Sequence, residues 1–139
     1  REAAMKAFAK IAEQGLDAKR LAVKFGFQNG GTGFSKDDAP YDRWLKELAR
    51  QSAHVATTTG GCIEVAGHTG RAGSEALNER VSLQRAEYVR QRLIEQRKDL
   101  AKHLSARGYG SKDPLVATGR EDVSDALDRR IELKPVSCS

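Results

Sequence analysis

Between Ile63 and Val89 the hydrophobic period of this chain changes from two to about 3.6, and the change falls across one tight turn. Ile63-Glu-Val-Ala alternates, with Ile63 and Val65 facing one way, as in a strand with a single buried face. Gly67-His-Thr-Gly-Arg-Ala-Gly73 breaks the pattern. Ser82, Ala86, Val89 and Leu93 then recur along one face of a helix that runs to about Arg97. A strand passed so directly into a long amphipathic helix calls for a layered fold, with the helix laid on a sheet.

The rest of the chain extends the same alternation. Ala3, Ala4, Ala7, Phe8, Ile11, Ala12 and Leu16 repeat at helical spacing, and Gly15 can stop that helix. Residues 1–19 are therefore read as an N-terminal helical segment or linker, or a frayed end, and residues 20–139 as the domain. Leu21 to Gln28 alternates as a first strand, and Asn29-Gly-Gly-Thr-Gly33 ends it. That glycine loop lacks the spacing of a nucleotide-binding motif. A helix starts at Ala39-Pro40, and Tyr41, Trp44, Leu45, Leu48 and Ser52 form its inward stripe, read as core packing. Thr57 to Gly61 leads into the strand Cys62–Ala66. Leu104–Gly108 is a short strand, Gly110 to Pro114 a turn, and Val123 to Leu127 a helical turn. Arg130 to Lys134 is a last strand, ended by Pro135. The order βαβαβ(α)β predicts a two-layer sandwich with α/β or α+β packing, and two long helices on one face of a four-stranded sheet.

Composition narrows the function classes. The chain has 139 residues, enough for one hydrophobic core. Its net charge of +5 raises nucleic acid as a partner. The bases are interleaved with acids, as in Glu79-Arg80 and Glu95-Gln-Arg97-Lys-Asp99, and this pattern marks a solvated helix face. No apolar run is long enough to span a bilayer. The opening Arg1-Glu2-Ala3 carries neither an initiator Met nor a signal peptide, so a fragment of a longer protein is expected, with any targeting or anchoring segment outside it. His54, His68 and His103 lack metal-ligand spacing, and no serine or cysteine sits in a catalytic motif. The expectation is a non-enzymatic protein with no cofactor and no metal. His68 is expected to brace its turn by hydrogen bonding. Cys62 and Cys138 are either two free thiols or one bridge.

At the turn itself, Thr69 and Gly70 sit where a strand gives way to a helix, and backbone N–H groups at such a junction favour an anion. Asn78 and Arg85 are seven residues apart, about two turns on one helix face. An arginine fork can hold a carboxylate in a bidentate pair. Thr69, Asn78 and Arg85 thus make a possible cup for a carboxylate. The competing reading is that Asn78 caps the helix and Arg85 pairs with Glu79 or Asp128.

The combination of Gly67-His68-Thr69, Gly73, Asn78, Ser82, Arg85-Ala86, Val89, Gly108-Tyr-Gly110, Pro114 and Arg129-Arg130-Ile131-Glu132 resembles the OmpA-like peptidoglycan-binding domain over roughly residues 21–135. The resemblance implies a domain that holds the diaminopimelate of the cell-wall stem peptide. By the same token, Arg85 would clamp a carboxylate, with Thr69, Asn78 and Arg129 shaping the pocket. The family pattern places an aspartate for the ligand's ammonium where this chain has Gly70, and the first strand, Phe25-Gly-Phe-Gln28, also lacks the family's acid. Asp128 replaces the usual asparagine. Loss of one charged hydrogen bond costs on the order of 2–4 kcal/mol. Asp122, Asp128 or Glu121 would be the compensating acids. The resemblance also implies the α+β form with a mixed sheet. It puts the last strand antiparallel beside the second, and with it implies a Cys62–Cys138 disulfide and an oxidising, periplasmic setting. Two functions remain open: a module tethering an outer-membrane or envelope protein to peptidoglycan, or an interaction module of an envelope-spanning assembly, such as a secretion system, that has lost cell-wall binding.

Overall fold

The structure, a computed structural model, describes residues 21–23, 39–70, 73–112 and 130–138. In chain order they form β1 (Leu21–Val23), α1 (Ala39–Thr59), β2 (Cys62–His68), α2 (Glu75–Gln96), a 3-10 turn (Lys98–Lys102), β3 (Leu104–Gly108) and β4 (Arg130–Val136). The expected N-terminal helix, the glycine loop at 29–33 and the helical turn at 123–127 lie outside the described residues, as does the strand beyond Val23. The fold is α+β, with two long helices and a mixed sheet in the order β1-β4-β2-β3. β2 runs parallel to β3, with α2 as the crossover that a parallel pair needs, and antiparallel to β4.

Each element forms for a local reason. α1 buries Leu45, Leu48, Ala49 and Ser52 completely, while Trp44 is only half-buried, at the margin of the stripe. The helix also runs on through Thr57–Thr59, which propensity alone assigns to a lead-in loop. Thr59 Oγ1 donates to the Val55 carbonyl at 2.7 Å, and this back-bond accommodates a β-branched residue in the last turn. The stop signal is Gly60, whose φ of 69° puts it in the left-handed region and whose N–H donates to the Ala56 carbonyl at 2.9 Å.

β2 is two residues longer than the alternation suggested, and its last pair is His68 with Arg130. β4 does not end at Pro135, which pairs with Ile63. The Ile63 N–H points the other way, donating to the His103 carbonyl at 2.8 Å. Ile63 and Pro135 therefore form a non-hydrogen-bonded pair, so the missing proline N–H faces the β1 side. The missing N–H therefore takes no bond from the β2–β4 ladder.

One cluster makes the core: Leu45, Leu48 and Val55 from α1, Ile63 and Val65 from β2, Ala86, Val89 and Leu93 from α2, with Leu100, Leu104, Ile131 and Leu133. α2 lies so close on the sheet that two glycines are required beneath it. A Cβ on Gly67 would overlap the backbone of Ser82, and one on Gly108 would come within 2.5 Å of the Leu83 nitrogen. Arg90 adds a polar fastening, donating from Nε to the Leu104 carbonyl at 2.8 Å and from Nη2 to the Ala101 carbonyl at 3.1 Å. At the far end of β2, a disulfide joins Cys62 to Cys138 with their Cα atoms 4.9 Å apart.

Candidate functional site

The buried stripe of α2 is Asn78, Ser82, Ala86, Val89 and Leu93. Its apolar C-terminal half enters the core, and its polar N-terminal half lies under the turn that follows β2. Gly73, at φ 83°, swings the chain into the helix, and Ser74 is the N-cap, its Oγ accepting the Leu77 N–H at 3.2 Å. Asn78 is therefore not the cap but sits inside the first turns, buried.

A second loop closes over this turn. Tyr109 N–H donates to the Gly67 carbonyl at 2.9 Å, and Thr69 N–H to the Gly110 carbonyl at 2.8 Å. Gly110, at φ 59°, donates its own N–H to Ser82 Oγ at 2.9 Å, and that hydroxyl donates onward to the Glu79 carbonyl at 2.9 Å. Ser111 gives both its N–H, at 3.1 Å, and its hydroxyl to the Glu75 carboxylate. The Ser111 hydroxyl bond is the main cause that holds the Glu75 carboxyl below its ordinary range. Lys112 pairs with Glu79, which raises the lysine's pKa.

These bonds correct one expectation. The Thr69 N–H is occupied by Gly110, so it does not await an anion. What the turn does present is side chain: Thr69 Oγ1 is buried with no hydrogen-bond partner among the described residues, and Asn78 Nδ2 is buried with the Glu75 carboxylate, which its side chain helps to keep ionised, as a polar neighbour there. A buried polar atom without a partner is uncommon in folded proteins and costly. Arg85 is half-buried on the same helix and already engaged. It lies about 10 Å along the axis from Asn78. Long helical side chains lean toward the N-terminus, which is the direction of Asn78. Gly70 is buried at the edge of this group. Arg129, Glu121, Asp122 and Asp128 lie outside the described residues.

The sheet face turned away from the core carries a polar network that sequence reasoning missed. Glu64, Ala66 and His68 of β2 stand opposite Lys134, Glu132 and Arg130 of β4. Glu132 is fully buried, and Arg130 Nε donates to its Oε2 at 2.5 Å. His68 Nε2 lies 3.8 Å from Glu132 Oε1, and its ring stacks on Tyr109 with centroids 5.2 Å apart. His68 is thus placed by stacking and by a carboxylate rather than by hydrogen bonds of its ring within the turn. Tyr109 donates its hydroxyl to Glu64 Oε1 at 2.6 Å. Burial, then that hydrogen bond, raises the phenol's pKa. Arg107 and Lys134 both lie against its ring, at 4.7 and 4.6 Å. The signal was available: the period of two that put Ile131 and Leu133 inside puts Arg130, Glu132 and Lys134 together on the reverse face.

Comparison with known proteins places this geometry among relatives. A family model described as the OmpA family matches residues 27–127. Outer membrane porin F of Pseudomonas fluorescens is 37% identical over 90 residues, which cover 63% of this chain and 26% of that protein. The chain thus spans about a quarter of that relative's length. The peptidoglycan-associated lipoprotein from Burkholderia pseudomallei shares the fold at a TM-score of 0.60 and 22% identity, over 88% of this chain and 93% of that one. The cell wall anchor of the T6SS from Pseudomonas aeruginosa does so at 0.63 and 18% identity, over 94% and 96%. No helix among the described residues is long and apolar enough to cross a membrane.

Proposed function

The chain belongs to the OmpA family, and on that premise we propose that it is a non-enzymatic, periplasm-facing module that tethers a larger envelope protein to peptidoglycan. The observation that carries this reading is the pair of buried polar side chains beside the turn from β2 to α2, Thr69, whose Oγ1 has no partner among the described residues, and Asn78. A ligand carboxylate accepts hydrogen bonds from both, and Arg85 adds the charge. The ligand of this reading is the diaminopimelate of a stem peptide; Arg129 and either Asp122 or Asp128, which lie outside the described residues, are assigned to it by the family resemblance alone. The disulfide supports an oxidising compartment. The T6SS cell wall anchor and the peptidoglycan-associated lipoprotein are similar in fold, and their descriptions name the cell wall.

Gly70 favours a second reading. A buried glycine stands where the family pattern supplies an acid, and the ammonium of the ligand then lacks that counter-charge. On this reading the domain keeps the fold and works as a protein-interaction module of an envelope-spanning assembly.

Calorimetric titration with a diaminopimelate-containing muropeptide separates the two. Saturable binding that Arg85→Ala weakens by about 30-fold or more, the value of one charged hydrogen bond of ~2 kcal/mol, supports the tether. No binding to either protein supports the interaction module. If Gly70→Asp then creates binding, the glycine is the reason for the loss.

A further inference from the structure

Three metal-binding side chains converge at the end of the sheet opposite Thr69 and Asn78. Cys62 opens β2, Cys138 lies two residues past β4, and His103 follows the 3-10 turn just before β3. Strand register brings them together: Cys62 stands opposite Val136, and Ile63 opposite Leu104. The His103 carbonyl is held by the Ile63 N–H at 2.8 Å. The two sulfurs and an imidazole nitrogen all lie within 4.8 Å of one another. His103 thus brings its imidazole to the bridge while its buried Nδ1 stays without a hydrogen bond among the described residues. β2 separates this cluster from the Thr69 turn by about 20 Å.

We infer that the cluster is a redox-gated zinc site, formed by Cys62, Cys138 and His103 when the disulfide is reduced. Two molecules of a small thiol reduce the bridge: their sulfurs join as the oxidised disulfide, and Cys62 and Cys138 each gain a hydrogen as thiols. Zn2+ then displaces one proton from each thiol and accepts the imidazole lone pair. Two protons leave, and water fills the fourth position. Zinc takes two sulfurs and a nitrogen tetrahedrally, with Zn–S about 2.3 Å and Zn–N about 2.0 Å, so its ligand atoms sit roughly 3.5–3.8 Å apart. Once the bridge opens, the sulfurs part to reach that spacing, and the imidazole nitrogen already lies within 4.8 Å of both. Two thiolates and an imidazole select zinc over magnesium or calcium. In the reduced chain the metal fastens the end of β4 to the starts of β2 and β3, as the bridge does in the oxidised chain.

Cobalt(II) titration of the whole chain tests this, after reduction by a phosphine and removal of the reductant under argon. The expected result is one equivalent of tetrahedral, thiolate-bound cobalt seen by visible absorption, displaced by zinc and absent from the oxidised chain. His103→Gln is expected to weaken cobalt binding at least about 10-fold, and Cys62→Ser to abolish the absorption. An absence of tetrahedral absorption in the reduced chain, or unchanged affinity in His103→Gln, overturns the inference. Far-UV circular dichroism covers the case in which reduction unfolds the chain. Zinc must then restore the oxidised chain's spectrum, and failure to do so also overturns it.

Discussion

Gly67 and Gly108 show how a single hydrogen can decide a packing arrangement. A methyl group on Gly67 meets the Ser82 backbone, which belongs to a helix interior and cannot step aside. Gly67→Ala is expected to cost about 1–3 kcal/mol by overpacking, measured by urea denaturation. Glu132 has no comparable steric constraint; its dependence is electrostatic. It is fully buried and accepts from Arg130, so Glu132→Gln removes a buried carboxylate charge from beside that guanidinium. A loss of about 3–5 kcal/mol is expected, with the same assay as the check. Glu75 has a pH signature. Its folded-state pKa lies below the ordinary 4.5, chiefly through the Ser111 hydroxyl. Its contribution is therefore complete above that ordinary value and fades as pH falls through the folded one. Glu75→Gln should be less stable than the parent at neutral pH, modestly because solvent screens the site. The gap should close in acid, as read by thermal melts across a pH series.

At the scale of elements, α2 carries most of the design. Its buried stripe is polar where the turn lies and apolar where the core lies, so one helix both anchors the fold and lines the candidate site. Ser74→Ala removes its cap, and a loss of about 1 kcal/mol in thermal or urea unfolding is expected. The bounds of β3, the C-terminal limit of α2 and the inward residues of β2 were legible because each follows a single period. Two boundaries were not. The Thr57–Thr59 run reads as a break by propensity, yet a back-bond and Gly60 set the true end. Pro135 reads as a terminator, yet its missing N–H faces away from β2 and takes no bond from the β2–β4 ladder. Of the candidate site, spacing gave Thr69, Asn78 and Arg85 only as one of two readings, and the family resemblance chose between them; the structure buries Thr69 and Asn78. The loop at Tyr109–Ser111 was not found as a wall of the site, since its role comes from contacts with residues about 30 to 45 positions away. No local pattern in sequence reports those distances.

For the whole molecule, β2 is the axis, with the candidate ligand turn at one end and the cystine at the other. The bridge joins residues 76 apart, and its chain-entropy effect on the unfolded state is about 4.5 kcal/mol. Cys138→Ser should lower stability by something near that figure in oxidising buffer, measured against the parent by guanidinium denaturation. The same bond has a mechanical side. Cys62 and Cys138 enclose α2, β3, β4 and both Thr69 and Arg85 in one covalent ring. When the two ends of the chain are pulled, tension crosses from sulfur to sulfur and bypasses everything inside the ring. The ring cannot be drawn out to the roughly 250 Å of contour that those residues would otherwise release. The part of the protein that would grip a wall is thus shielded from a load along the chain, and only the segments outside the ring can lengthen.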